Sequence, residues 1–308
     1  MNRPAVALAS AAALFFVLPL AGLVGRVSWG TLGADLSSGA ARDGLWLSLV
    51  CSVGATVLSV IGGLPLAWVL ARMRFPGRSL LRGLVLLPLV LPPVVGGVAL
   101  LSAFARRGFV GARLYEWFGV QLTFTTAGAM LAETFVAMPF FVLAAEAGFR
   151  SIDTRYEDAA VSLGARPFTV FRRVTFPMVA PSLAAGAVLA WARALGEFGA
   201  TITFAGNIAG RTQTLPLAVY LQLESHPDVA IALSLVLVVV SLGLDTFFND
   251  PISDFSLTAD GFERCGAAVG LISGVLFLGE SYGLVTWLGA AVITVGIVMT
   301  TKAQMNGS

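Results

Sequence analysis

The apolar residues of this chain come in blocks of about twenty, the length an α-helix needs to cross the hydrocarbon of a bilayer. The blocks fall at about residues 5–24, 45–71, 83–104, 127–149, 183–204 and 229–247. That pattern excludes a soluble enzyme, a disordered chain and a disulfide-held secreted scaffold. Composition agrees: 57% of the 308 residues are hydrophobic and 12% charged, against roughly 25% charged in soluble domains. The mean hydropathy is +0.88. The 34 glycines and 14 prolines suit membrane helices better than soluble ones. A net charge of +2 spread over loops argues against a nucleic-acid partner. Cys51 and Cys265 lie in or beside apolar stretches, so neither a disulfide framework nor a metal site is expected. The fold class expected is all-α integral membrane, with six helices in the first 247 residues.

The first block follows the short head MNRP. It is longer than the core of a signal peptide and has no clear cleavage site after it, so it reads as a retained span. Arginine and lysine bias sets the orientation. With the N-terminus cytoplasmic, one side holds Arg3, Arg72, Arg74, Arg78, Arg82, Arg150, Arg155, Arg166, Arg172, Arg173, Arg264 and Lys302. The other side holds Arg26, Arg42, Arg106, Arg107, Arg113 and Arg211, while Arg193 falls inside a span. The imbalance favours a multi-pass membrane protein with a cytoplasmic N-terminus.

The cytoplasmic segment 150–181 is the longest stretch that is both amphipathic and charged. Asp153 is placed to N-cap a helix starting near Thr154, and Glu157 sits in its first turn, where the helix dipole favours an acid. Gly164 ends that helix, with Pro167 soon after. A second short helix is expected from about Phe168 to Phe176, stopped by Pro177. Two short helices about a glycine bend, hung between spans, suit a docking element, although an amphipathic connecting loop reads the same way on composition.

Spacing within the segment resembles that of the permeases of ABC importers. Their cytoplasmic loop reads Glu-Ala-Ala, three residues, Gly, nine residues, then Ile-x-Leu-Pro. Here Asp158, Ala159, Ala160 and Gly164 keep the first spacing, and Val174, Phe176 and Pro177 keep the second. Asp158 replaces the usual Glu, with Glu157 just before it. The resemblance implies a six-helix permease bundle whose loop seats in a groove of a separate ATPase subunit through Glu157, Asp158, Ala159, Ala160, Gly164, Val174 and Pro177. It also implies a second copy of the chain and an extracytoplasmic binding protein. ATP and Mg would be bound by the partner ATPase, with no cofactor in this chain, which has no P-loop or catalytic triad and so is not itself an enzyme. Residues 63–101 and 189–220, the latter reading LAWARALGEFGATITFAGNIAGRTQTLPLAVY, resemble the molybdate/sulfate group. Phe198-Gly199-Ala200-Thr201 and Gly210-Arg211-Thr212-Gln213-Thr214 fit its molybdate branch, with sulfate and tungstate as alternatives.

Arg193 and Glu197 are four apart and share a helix face. Either they shape the oxyanion pathway, together with the hydroxyls of Thr201 and Thr203, or they form a structural ion pair that fixes packing beside it. The second reading is favoured, because an acid on the route repels a dianion. Threonines in spans also often bond their own backbone. Pro88, Pro92, Pro93, Gly96 and Gly97 predict a third span that is either kinked and facing a pathway or simply packed irregularly. Glu146, near the cytoplasmic end of the fourth span, reads as wet, Glu133 has no evident role, and His226 reads as a solvated loop residue.

The permease pattern stops near Leu244. Residues 248–265 read as a polar linker and 266–308 as a hydrophobic hairpin foreign to the rest. Leu278-Gly279-Glu280 and Leu288-Gly289-Ala290-Ala291 resemble the last helix pair of the drug/metabolite transporter superfamily. That hairpin favours two other readings, a secondary transporter of that type and a non-functional fusion, although a lone helix pair forms no transport path.

Overall fold

A computed structural model describes residues 3–252, and the chain divides into two units, residues 1–247 forming the first. Residues 253–308, with the terminal hairpin and its likeness to another superfamily, lie outside the described residues. All regular structure among the described residues is helical. In order these are α1 (Arg3–Gly25), α2 (Leu32–Leu36), α3 (Gly39–Arg72), α4 (Arg78–Val90), α5 (Pro93–Phe104), α6 (Gly111–Phe118) and α7 (Thr126–Ser151). Then come α8 (Arg155–Ser162), α9 (Pro167–Val170), a π-helical turn (Phe171–Thr175), α10 (Phe176–Leu195), α11 (Gly199–Phe204), α12 (Leu215–Ser225) and α13 (Pro227–Ile252). Long, apolar helices able to cross a membrane are α1 over Leu8–Gly25, α3, α7 and the continuous run Pro167–Leu195. Two shorter apolar helices, α5 and the Pro227–Gly243 part of α13, complete the six expected blocks.

Three of those blocks depart from their expected form, each for a stated reason. The second span begins at Gly39, not near residue 45, because the Ser38 side chain accepts the Ala41 N–H and caps the helix there. At 34 residues α3 is about 50 Å long, so it extends well past a hydrocarbon layer of about 30 Å. The third block is broken between α4 and α5. Leu91 is extended, as a residue before proline prefers, and Pro93 starts α5 at a position where a missing N–H costs nothing. The fifth block starts earlier and ends earlier than expected. Pro177 does not stop the preceding helix: the chain widens into the π turn, Phe176 N–H donates to the Phe171 carbonyl, and the helix runs on to Leu195. Proline offers no N–H to the carbonyl four residues back and its ring crowds it, and a wider turn accommodates both defects.

The core is a three-helix packing of α3, α7 and α10. Phe141, Phe149, Leu70, Val142 and Val179 are fully buried in it among alanines. Close approach is set by small residues, as is usual where lipid supplies no hydrophobic drive between helices. A Cβ on Gly148 would stand 2.5 Å from Ser182 Cβ. Polar ties add direction: Trp191 Nε1 donates to Ser52 Oγ at 3.0 Å, and the Leu215 N–H donates to Ser48 Oγ at 2.6 Å.

The two ends of the unit carry different groups. At one end Arg72 pairs with Glu157 and Arg82 with Glu146. At the other, Thr126 Oγ1 donates to the Arg211 carbonyl and Ser28 Oγ to Asp228. His226, between α12 and α13, is exposed, as read from the sequence. Glu146 is not wet: its side chain is 2% exposed. Arg150 binds one carboxylate oxygen, and Arg82 Nε stands 3.4 Å from the other, clasping α4 to α7.

The clasp is asymmetric, because both guanidinium groups are 41% exposed and only the carboxylate is buried. Glu146→Ala leaves two arginines that water can still solvate, and is expected to cost about 1–2 kcal/mol. Removing both cations in Arg82→Ala/Arg150→Ala leaves a buried carboxylate alone, and is expected to cost about 3–5 kcal/mol. Thermal unfolding in detergent checks the order; equal losses would refute it.

Candidate functional site

Two constellations stand out, one at each end of the run Pro167–Leu195. The first is the segment α8–α9. Asp153 Oδ1 accepts the Arg155 N–H at 3.0 Å at the start of α8, and Glu157 and Asp158 lie in its first turn. The helix closes in a Schellman motif: Gly164 N–H donates to the Val161 carbonyl at 2.9 Å and Ala165 N–H to the Ala160 carbonyl at 3.1 Å. Gly164 has φ +83° and open space where a Cβ would sit. The glycine is therefore needed for its left-handed backbone and not for clearance, at roughly 1–2 kcal/mol for any side-chain-bearing residue. Pro167 then opens α9.

The segment is poorly buried, and no residue of α8 is. Asp158 and Ala159 are exposed and Ala160 is half-buried. Four large apolar side chains are also exposed: Tyr156, Val161, Leu163 at 89% and Phe168 at 73%. An apolar surface of this kind, interleaved with charge, marks an interaction site. Sequence reasoning missed these four, although apolar residues on a helix too short to bury them were the available signal. Val174 is half-buried and Pro177 exposed. Glu157 is set apart from the others. Its Oε1 accepts from Arg72 at 2.9 Å and from Thr175 Oγ1 at 2.7 Å, so it turns inward.

The second constellation is the break between α10 and α11, at Gly196, Glu197 and Phe198. Arg193 and Glu197 pair at 2.5 Å, with Glu197 1% exposed and Arg193 27%. Glu197 Oε1 also accepts the Ala200 N–H at 2.8 Å, satisfying a donor at the start of α11. The side chain thus holds the break in shape from both sides. Thr203 Oγ1 donates to the Gly199 carbonyl at 2.8 Å, so its hydroxyl is spent on its own helix. Thr201 Oγ1 is buried without a partner. Glu133 on α7 is buried, has an unpartnered Oε2, and lies within electrostatic range of Arg193 and Glu197.

This break adjoins the one between α4 and α5. A Cβ on Gly199 would stand 2.8 Å from Pro93 Cβ and 3.3 Å from the Val94 nitrogen, and one on Gly97 would stand 2.6 Å from Thr203 Cβ. The kink expected in the third span is thus a full interruption, packed onto the interruption of the fifth. Among the described residues no cluster of His, Cys, Asp and Glu is arranged to hold a metal ion.

Comparison with known proteins agrees with this architecture. The profile of the family described as binding-protein-dependent transport system inner membrane component matches residues 63–250. The molybdenum transport system permease protein ModB of Mycobacterium tuberculosis is 49% identical over 233 residues, 76% of this chain and 88% of that protein. ModB of Escherichia coli is 42% identical over 206 residues, 66% and 90%. The sulfate transport system permease protein CysT of Salmonella typhimurium is 35% identical over 239 residues, 77% and 86%. Among solved structures, a bacterial ABC transporter that imports the acidic polysaccharide alginate has the same fold. Its TM-score is 0.63 at 18% identity, over 79% of this chain and 91% of that one. On the extent of the family match and the identity to these permeases, the chain is a multi-pass membrane protein that belongs to the binding-protein-dependent transport system inner membrane component family.

Proposed function

We propose that this chain is the membrane-spanning subunit of an ATP-driven molybdate importer in a bacterial inner membrane, with its N-terminus cytoplasmic. The observation that carries the substrate is the 42–49% identity to permeases named for molybdenum transport. The sulfate permease at 35% identity supports sulfate as the second reading; tungstate, close to molybdate in size, shares the first. Two copies would frame the anion path and take the anion from an extracytoplasmic binding protein. ATP and Mg would bind a separate ATPase subunit, so this chain would hold no cofactor and hydrolyse nothing.

In this reading α8 and α9 seat on the ATPase subunit through Tyr156, Asp158, Val161, Leu163 and Phe168, the side chains left in the open. Closure of the ATPase subunits on ATP would draw the two coupling segments together and turn the path from inward-facing to outward-facing. At the break, the Arg193–Glu197 pair would hold the shape of the path. The unpartnered hydroxyl of Thr201 would be free to meet the anion, and the self-bonded Thr203 would not.

Uptake into proteoliposomes holding the permease, ATPase and binding protein tests the substrate. Labelled molybdate should be competed by molybdate and tungstate well below the concentration at which sulfate competes; the reverse order assigns sulfate. Gly164→Trp should insert normally yet lower ATP-dependent uptake by about tenfold, since the strained turn misplaces the docking surface by an energy near 1.4 kcal/mol. Molybdate-stimulated ATP hydrolysis at the wild-type level in that variant would rule out the docking role. Residues 248–308 are proposed to be dispensable, because the family match ends at residue 250. Chains stopped after Phe247 should keep uptake, and its loss in a truncated chain that still inserts and assembles would overturn that reading.

A further inference from the structure

We propose that Glu157 is a positioning residue that ties the coupling segment to two spans and passes its movement to them; this rests on the importer reading above. The resemblance placed Glu157 in the docking set with Asp158, but the two neighbours face opposite ways. Asp158 is exposed and its carboxylate is open to a partner. Glu157 is only 22% exposed, and Oε1 collects two donors from distant parts of the chain.

The first donor, Arg72, is the last residue of α3 and lies 85 positions away in sequence. The second, Thr175, is buried and ends the π turn. A charge-assisted bond from a half-buried arginine is stronger than an exposed surface pair, which contributes little. Because α8 buries no residue of its own, apolar packing holds it weakly and the polar tie carries much of its attachment.

The two attachments differ mechanically. α3 packs along α7 in the core and moves as part of it. The π turn stands at the foot of α10, and π turns are wide, locally adjustable pieces of helix that recur at functional sites. α10 then runs 20 residues, about 30 Å, to the Arg193–Glu197 break. A displacement of α8 therefore reaches the rigid core through Arg72 and the base of the broken span through Thr175. The carboxylate that receives both fixes how α8 sits relative to each.

The test compares Thr175→Val, Arg72→Gln, Glu157→Arg and the exchange Arg72→Glu/Glu157→Arg, each assembled with the ATPase and binding protein in proteoliposomes. Thr175→Val keeps the side-chain shape and removes only the hydroxyl. It and Arg72→Gln should lower anion uptake per ATP hydrolysed by about tenfold, the scale of one hydrogen bond to a charged group, while the ATPase subunit still co-purifies. Glu157→Arg alone should do the same, and the exchange, which restores the ion pair and lets the Thr175 hydroxyl accept from the guanidinium placed at 157, should recover most of the ratio. In parallel, hydrogen exchange of the isolated permease should be faster at the amides of residues 155–165 in Thr175→Val and Arg72→Gln than in wild type. Unchanged uptake per ATP in Thr175→Val and Arg72→Gln overturns the proposal, and so does loss of ATPase co-purification in step with uptake, which makes Glu157 a docking contact. Unaltered exchange at 155–165 overturns it whatever anion is carried. Absence of molybdate uptake by the wild-type protein instead strikes the importer reading and leaves the exchange measurement standing.

Discussion

A span that crosses hydrocarbon has to satisfy its backbone within the protein, and this chain interrupts two of its spans. The interruptions at Leu91–Pro92 and Gly196–Phe198 lie against each other, with Gly199 close to Pro93 and Gly97 close to Thr203. Neither break therefore has to face lipid at that contact. The side chains at the crossing are chosen accordingly. Glu197 accepts the Ala200 N–H, and the Thr203 hydroxyl turns back to the Gly199 carbonyl. Glycine at 97 and 199 is required because any Cβ there would meet atoms nearer than 3.0 Å. At this crossing α11 has its Ala200 N–H accepted by Glu197, and α5 starts at a proline that has no N–H to satisfy.

Three carboxylates follow the same rule, since a buried charge needs a partner, while Glu133 keeps one oxygen unpartnered. Glu146 is clasped by Arg82 and Arg150, Glu197 by Arg193, and Glu157 by Arg72. The ties differ in what they join. Arg193 and Glu197 are four residues apart and hold one local shape, whereas Arg82–Glu146 and Arg72–Glu157 join elements far apart in sequence. The arginines at 72 and 82 thus do more than set orientation by their number: Arg72 ties α8 to α3, and Arg82 ties α4 to α7.

The spans were legible because a bilayer demands length and apolarity, and both are visible in a linear string. A kink in the third span was legible too, since Pro92 and Pro93 have few places in a helix, but its extent as a full interruption was not. The turn at Gly164 is legible from spacing, and its φ of +83° supplies the reason for glycine. What was not legible depended on side chains meeting across the sequence. Nothing local distinguishes Glu157 from Asp158; only Arg72 and Thr175, brought in by the packing of α3 and α10, turn one inward and leave the other free. Glu146 reads as wet from the sequence because it is near the cytoplasmic end of its span, while the packing of α4 closes over it. Pro177 was misread because a proline in mid-helix normally stops it, and the alternative, a wider turn, depends on neighbours that hold it in place.

The continuous helix through Pro177 bears on the proposed coupling element. A loop ending at Pro177 would hang between two spans and could swing without moving either. The helix instead continues from Pro167 to Leu195, 29 residues or roughly 43 Å, so α9 and the fifth span are one rod with a single soft turn near its foot. Its far end is the Arg193–Glu197 break, and its near end adjoins the exposed Leu163 and Phe168. The rod, the π turn and the Glu157 tie thus place the proposed docking surface and the broken span on one element, with the turn as the only point along it where the helix geometry is not α. A helix that stopped at Pro177 would lack that connection; instead the wider turn before it carries the proline within a continuous helix.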